Sequence, residues 1–155
     1  MFHTLSIPEQ CQSLWQTCHV LVPDLLENCA VKSTDLLIKS NNPINPQSGS
    51  IYLIKEGTIN EVYDGQVVVI YEKGDLIGVD GLVQHKITSY ENEFAVKVDV
   101  YDGQQLIDLI FNDKSKFKIW NQYLSSLCQS YQLLMGHFCQ QDTNFSPEYR
   151  CYNKG

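Results

Sequence analysis

"GSIYLIKEGTINEVYDGQVVVIYEKGDLIG", residues 49–78, sets two β-rich runs on either side of the dipeptide Asp64-Gly65. Such runs around a two-residue Asp-Gly are the strongest short-range hairpin signal, because both turn positions need a positive φ that these residue types tolerate. In "QVVVIY" Val67, Val69 and Tyr71 alternate with Val68 and Ile70. Both faces are therefore apolar, and the strand is expected to be covered on each side. A second turn, "EKGD", leads into "LIGV".

Downstream, "KITSY" and "FAVKVDVY" flank Glu91-Asn92-Glu93 and read as another hairpin. Phe94, Val96, Val98 and Val100 fall on one face, with Lys97 and Asp99 on the other, as in a core-packed antiparallel strand. Strand gives way to helix at Asp102, where Gln105 to Phe111 is a short amphipathic stretch. After Asn112-Asp113 a longer helix is expected from about Ser115 to Gln140. Its apolar positions Phe117, Trp120, Leu124, Leu127, Tyr131, Leu134 and Phe138 are spaced 3, 4, 3, 4, 3, 4, a heptad seam. The seam suits a partner helix, such as one from a second copy; it suits equally a helix lying on its own β-core.

Upstream the period changes near Val31, where "LLIK" reads as a short strand before the loop "SNNPINPQSGS". The segment from Ile7 to about Asn28 reads as helical, with Leu14, Trp15, Cys18, Leu21, Val22, Leu25 and Leu26 at helical spacing. Pro23 is expected to divide it into two short helices. The chain thus divides into a helical segment over 1–30, a β-core over 31–101, helices over 102–140 and a tail over 141–155.

The 155 residues are 43% hydrophobic and 19% charged, which describes a globular domain able to bury a core. A net charge of -7 argues against nucleic acid, whose binding needs clustered Lys and Arg. The densest basic group, Lys114, Lys116 and Lys118, reads as the solvated side of a helix start. No apolar run reaches the roughly 20 residues that span a bilayer, and "MFHTLSIPEQCQSLW" lacks a signal-peptide layout. A cytoplasmic location without membrane contact is the expectation. The six cysteines, at 11, 18, 29, 128, 139 and 151, contain no CxxC pair and read as buried, reduced thiols.

No nucleophile elbow, HExxH or phosphate loop is present, and the four histidines (3, 19, 85 and 137) are widely spread. Asp99 and Asp102 read as strand-end solvation. Neither catalysis nor a metal site is expected.

The order of helix, short glycine-turned strands, short helix and long helix resembles the cyclic nucleotide-binding domain family, the sensor of catabolite-activator-type regulators and cyclic-nucleotide-dependent kinases. The resemblance rests on residues 49–78 and on "AVKVDVYDGQQLIDLI", 95–110, and covers roughly 10 to 138. It implies a mainly β fold with flanking α: an antiparallel jelly-roll β-barrel with N-terminal helices and a long C-terminal helix.

In that family a Glu after the Gly-Asp-x-x-Gly turn accepts from the ribose hydroxyl, a short helix offers N–H groups to the cyclic phosphate, and an Arg pairs with it. A buried anion needs such a bidentate cation and aligned donors. The resemblance puts Val79 at the Glu position, with Asp80 beside it, and leaves only His85 and Lys86 where the Arg belongs. Gly78 and Gly81 read as turn glycines. The candidate ligand residues are therefore Gly78, Val79, Asp80, Gly81, His85 and Lys86, in a loop too short for the family's helix.

The expectation is a non-catalytic regulatory or interaction module, without a DNA-binding domain, that does not bind cAMP or cGMP in the usual way and assembles through its C-terminal helix. The alternative is a sensor that takes a cyclic nucleotide or another small anion in a modified pocket. The tail "NFSPEYRCYNKG" resembles the start of a second such domain, so the expected partner is a second copy or a following sensor domain.

Overall fold

The structure is a computed structural model that describes residues 9–40, 49–79 and 88–141, of which 137–141 by backbone alone. In chain order the elements are α1 (Glu9–Leu26), β1 (Val31–Ile38), β2 (Ser50–Glu56), β3 (Ile59–Tyr63), β4 (Gln66–Tyr71), β5 (Leu76–Ile77), β6 (Ser89–Glu91), β7 (Val96–Asp102), α2 (Gly103–Phe111) and α3 (Lys114–Gln141). The strands form two antiparallel sheets, ordered β1-β7-β2-β5 and β4-β3-β6. Ile54, Ile59, Val68, Val98 and Val100 from both sheets meet in one core. A second core joins Ile51, Leu76 and Tyr101 to Leu25, Leu106, Ile110 and Trp120 of the three helices. Each such aliphatic side chain, fully buried, stabilises the fold by about 1.5–3 kcal/mol. This is the expected β-roll flanked by helices.

The Asp-Gly hairpin forms as read. β3 pairs with β4, and Asp64 (φ 50) and Gly65 (φ 77) supply the two positive φ angles of the turn. Asp102 does more than solvate a strand end, since its side chain accepts from Gln104 N at 2.9 Å and caps α2.

Several expectations are corrected. α1 runs unbroken through Pro23, which sits one turn before its end, so little helix remains to be disrupted. β1 begins at Val31 and is longer than "LLIK" alone. β6 and β7 do not form a hairpin: β6 pairs with β3, whereas β7 lies between β1 and β2 in the other sheet. The crossing between sheets is fixed by Asn92, 2% exposed, whose amide nitrogen donates to Lys39 O (2.8 Å) and Phe94 O (3.1 Å). Phe94 consequently stands outside the core, 72% exposed. Asp99 is buried: it accepts from Asp35 N at 2.9 Å and faces Lys55 Nζ at 3.6 Å.

β1 has β7 on one side and, among the described residues, no strand on the other. Leu36 and Leu37 are exposed on it. Its register shifts twice between Val31 and Leu36, and Asp35 is turned into the left-handed region at φ 53.

α1 and α3 run antiparallel. Cys11 Sγ lies 3.5 Å from Ser130 O, and Cys18 Sγ 3.6 Å from Tyr123 O. These small side chains let the two helices approach closely. Near the other end Lys116 is buried, and its Nζ donates to Asp24 O (2.9 Å), Leu25 O (3.0 Å) and Glu27 O (2.7 Å). Of the three lysines read as solvated, this one instead closes the C-terminal end of α1, where carbonyls lack helical partners.

Candidate functional site

The turn leading to the candidate loop is held from three sides. Gly74 N donates to Ile54 O (2.9 Å), and Ile54 N donates back to Asp75 O (3.0 Å). The Asp75 carboxylate accepts from Glu72 N (2.7 Å) and from His19 Nδ1 on α1 (2.8 Å). Gly74 is required twice over: its φ is +93, and a Cβ there would stand 2.8 Å from the His19 ring. Asp75 thus anchors the turn onto α1.

The chain then passes through β5 to Gly78 (φ 97) and Val79. Val79 is 2% exposed and belongs to the helix-facing core with Cys18, Val22 and Leu25. It offers no hydrogen-bond acceptor to a sugar. Asp80, Gly81, His85 and Lys86 lie outside the described residues, as do Phe138 among the seam side chains and residues 142–155 of the tail.

A polar cluster that the sequence did not reveal lies where the chain returns at Thr88. Glu61 on β3 is 0% exposed and accepts from Tyr71 on β4 (2.6 Å), from Tyr131 on α3 (2.7 Å) and from Thr88. The Tyr71 and Tyr131 hydroxyls are 3.1 Å apart. Burial, with Tyr131, Glu61 and Tyr90 as neighbours, pushes the Tyr71 phenol well above its ordinary value, so it stays a donor. One carboxylate thereby ties both strands of the Asp-Gly hairpin to the long helix. The available signal was its phase: in Ile59-x-Glu61-x-Tyr63 it shares the face of Ile59.

Of the seven seam residues, Trp120, Leu127 and Leu134 are buried inside this chain. Phe117 is exposed, while Leu124 and Tyr131 are half-buried. The stripe that α3 turns inward is Lys116, Trp120, Tyr123, Leu127, Ser130 and Leu134, shifted from the apolar series at every second position.

The thiols of Cys11, Cys18 and Cys29 are free and buried, whereas Cys128 is exposed. Burial, with the Asp75 and Cys128 charges adding to it, pushes Cys18 up to about 12. Burial raises Cys11 and Cys29 as well. None of the three is a nucleophile at neutral pH. Among the described residues no three His, Cys, Asp or Glu side chains converge as a metal site would need, and no helix is long and apolar enough to cross a membrane.

No family model matches this sequence, and no curated protein matches it. Solved structures do. A protein described as cyclic nucleotide-binding from Geobacter metallireducens superposes with a TM-score of 0.57 at 17% identity, over 81% of this chain and 99% of that one. The c-di-GMP responsive global regulator CLP of Xanthomonas campestris gives 0.54 at 11% identity over 74% of this chain, which spans 60% of that protein. The sensor domain of the transcriptional regulator DNR from Pseudomonas aeruginosa gives 0.53 at 9% identity, over 76% and 86%.

Proposed function

From a fold that is the cyclic nucleotide-binding β-roll, we propose that this chain is a non-catalytic regulatory or interaction module that does not hold a cyclic nucleotide in the usual way. The observation that carries the reading is Val79, buried in the helix-facing core at the position where the resemblance puts a ribose-gripping carboxylate. A sugar hydroxyl brought against a valine loses its water without gaining an acceptor, which costs about 1–3 kcal/mol per group. Lys86 and His85 stand in for the guanidinium and supply at most point charges, without its two-pronged geometry. Assembly through the partly exposed flank of α3 belongs to the same proposal.

A thermal-shift series with cAMP, cGMP and c-di-GMP tests it. A ligand at a hundred times its Kd stabilises by about 2.7 kcal/mol. For a chain of this length that is a rise of roughly 5–10 °C. The expected result at millimolar nucleotide is no rise. A saturating rise that vanishes in Lys86→Ala would overturn the proposal.

That outcome would favour a second reading, a sensor for an anion in a modified pocket. The observation on its side is the Glu61 cluster, which links Thr88, next to the candidate loop, directly to α3.

A further inference from the structure

Phe94, at 72%, is the most exposed large apolar side chain among the described residues. Phe111 comes next, but its ring is met by Phe117 at a centroid distance of 5.7 Å. Phe94 has no such ring contact among the described residues.

The corner that carries it is pinned. One amide nitrogen of the buried Asn92 donates to Ile38 O (3.4 Å), Lys39 O (2.8 Å) and Phe94 O (3.1 Å), which holds the corner to the end of β1. An aromatic ring held out on a pinned backbone loses little freedom when a partner covers it, so most of its apolar area counts toward binding. Leu37, 58% exposed, precedes the gripped Ile38 on β1.

The charges at the corner set the partner's chemistry. Glu91 and Glu93 flank Asn92, are exposed, and make no ion pair among the described residues. Lys97 is engaged by Glu56 at 3.7 Å. Lys39 is the other cation, so Glu56, Glu91 and Glu93 leave the corner with an excess of acid. A net charge of -7 also draws a basic partner in from a distance.

We propose that the corner over 91–95 is a docking site for a basic amphipathic segment of a partner protein. Its apolar face covers Phe94, and its Lys or Arg side chains meet Glu91 and Glu93. None of these residues belongs to the candidate loop or to α3, so the site stands apart from the reading above.

Titration of the ¹⁵N-labelled full chain with the peptide Ac-LKKLLKLLKKLLKL-NH2 tests it. Saturable shifts centred on the amides of 91–95 are expected. Affinity should fall about tenfold in Phe94→Ser, through loss of one covered aromatic side chain. It should fall about fivefold when Glu91→Gln and Glu93→Gln are combined, as for exposed charge pairs. The counterpart Ac-LEELLELLEELLEL-NH2 should not bind. All three positions are exposed, so the variants should stay folded. The proposal is overturned by saturable shifts that miss 91–95 or do not occur, by unchanged affinity in either variant, or by equal binding of the acidic peptide. A mass that drops in light scattering on Phe94→Ser would give the face to a second copy and overturn it too.

Discussion

Lys116 shows how one side chain decides where two helices meet. Its ammonium satisfies three carbonyls at the end of α1, a place where the helix dipole favours positive charge. Lys116→Met keeps the aliphatic stem and removes the donors, leaving those carbonyls buried without partners. The expected loss is about 3 kcal/mol, read as a lower midpoint in urea unfolding with an unchanged slope. Lys114→Met and Lys118→Met, on exposed neighbours, should change stability by under about 0.5 kcal/mol. The sequence showed three lysines at alternate positions and nothing to separate them. Only the phase of α3 against α1 does so, and a charged residue at an inward position carries no hydrophobic signal. Glu61, charged and turned inward on β3, is hidden from the sequence for the same reason.

At the scale of elements, the legible parts were those whose chemistry is local. Asp64-Gly65 fixed its hairpin, Asp102 began a helix, and the valines of β7 alternated into the core. What was not legible was pairing at a distance. Glu91-Asn92-Glu93 has the length of a hairpin turn, yet Asn92 uses its amide to bind the end of β1 and sends the chain into the other sheet. The inward stripe of α3 departs from the apolar seam because Ser126 and Ser130 are buried where an apolar count passes over them. If α3 also serves assembly, its free flank must do it. Leu124→Asp is then expected to convert a dimer into a folded monomer, whereas Leu127→Asp, at an inward position, should unfold the chain. Light scattering with circular dichroism separates the two, and an unchanged mass for folded Leu124→Asp counts against assembly by this face.

The whole molecule carries a pH signature on its alkaline side. Cys18 is raised from 9.0 to about 12 in the folded chain, and Cys11 and Cys29 move the same way. Between those values the unfolded chain gives up its thiol protons while the folded one keeps them. Stability is therefore fully present below about pH 9 and falls as pH rises towards 12. Tyr71, also raised, adds to the fall above its ordinary value of 10. Melting temperatures measured from pH 8 to 11 should decline over that window, and the decline should be shallower in Cys18→Val. The candidate loop is the part of the molecule least accessible from sequence: its meaning depends on which groups the fold brings opposite it, and spacing alone does not say.

The twist at Asp35 bears on how the molecule behaves in a crowded solution. A straight outer strand presenting Leu36 and Leu37 would be a template on which a neighbouring chain could lay down a strand of its own. The left-handed residue, clasped by Asp99, bends the strand, so that among the described residues the outer edge of β1 offers no straight row of amides and carbonyls for such a ladder. Loosening that clasp would let β1 straighten and offer its edge to a neighbouring chain.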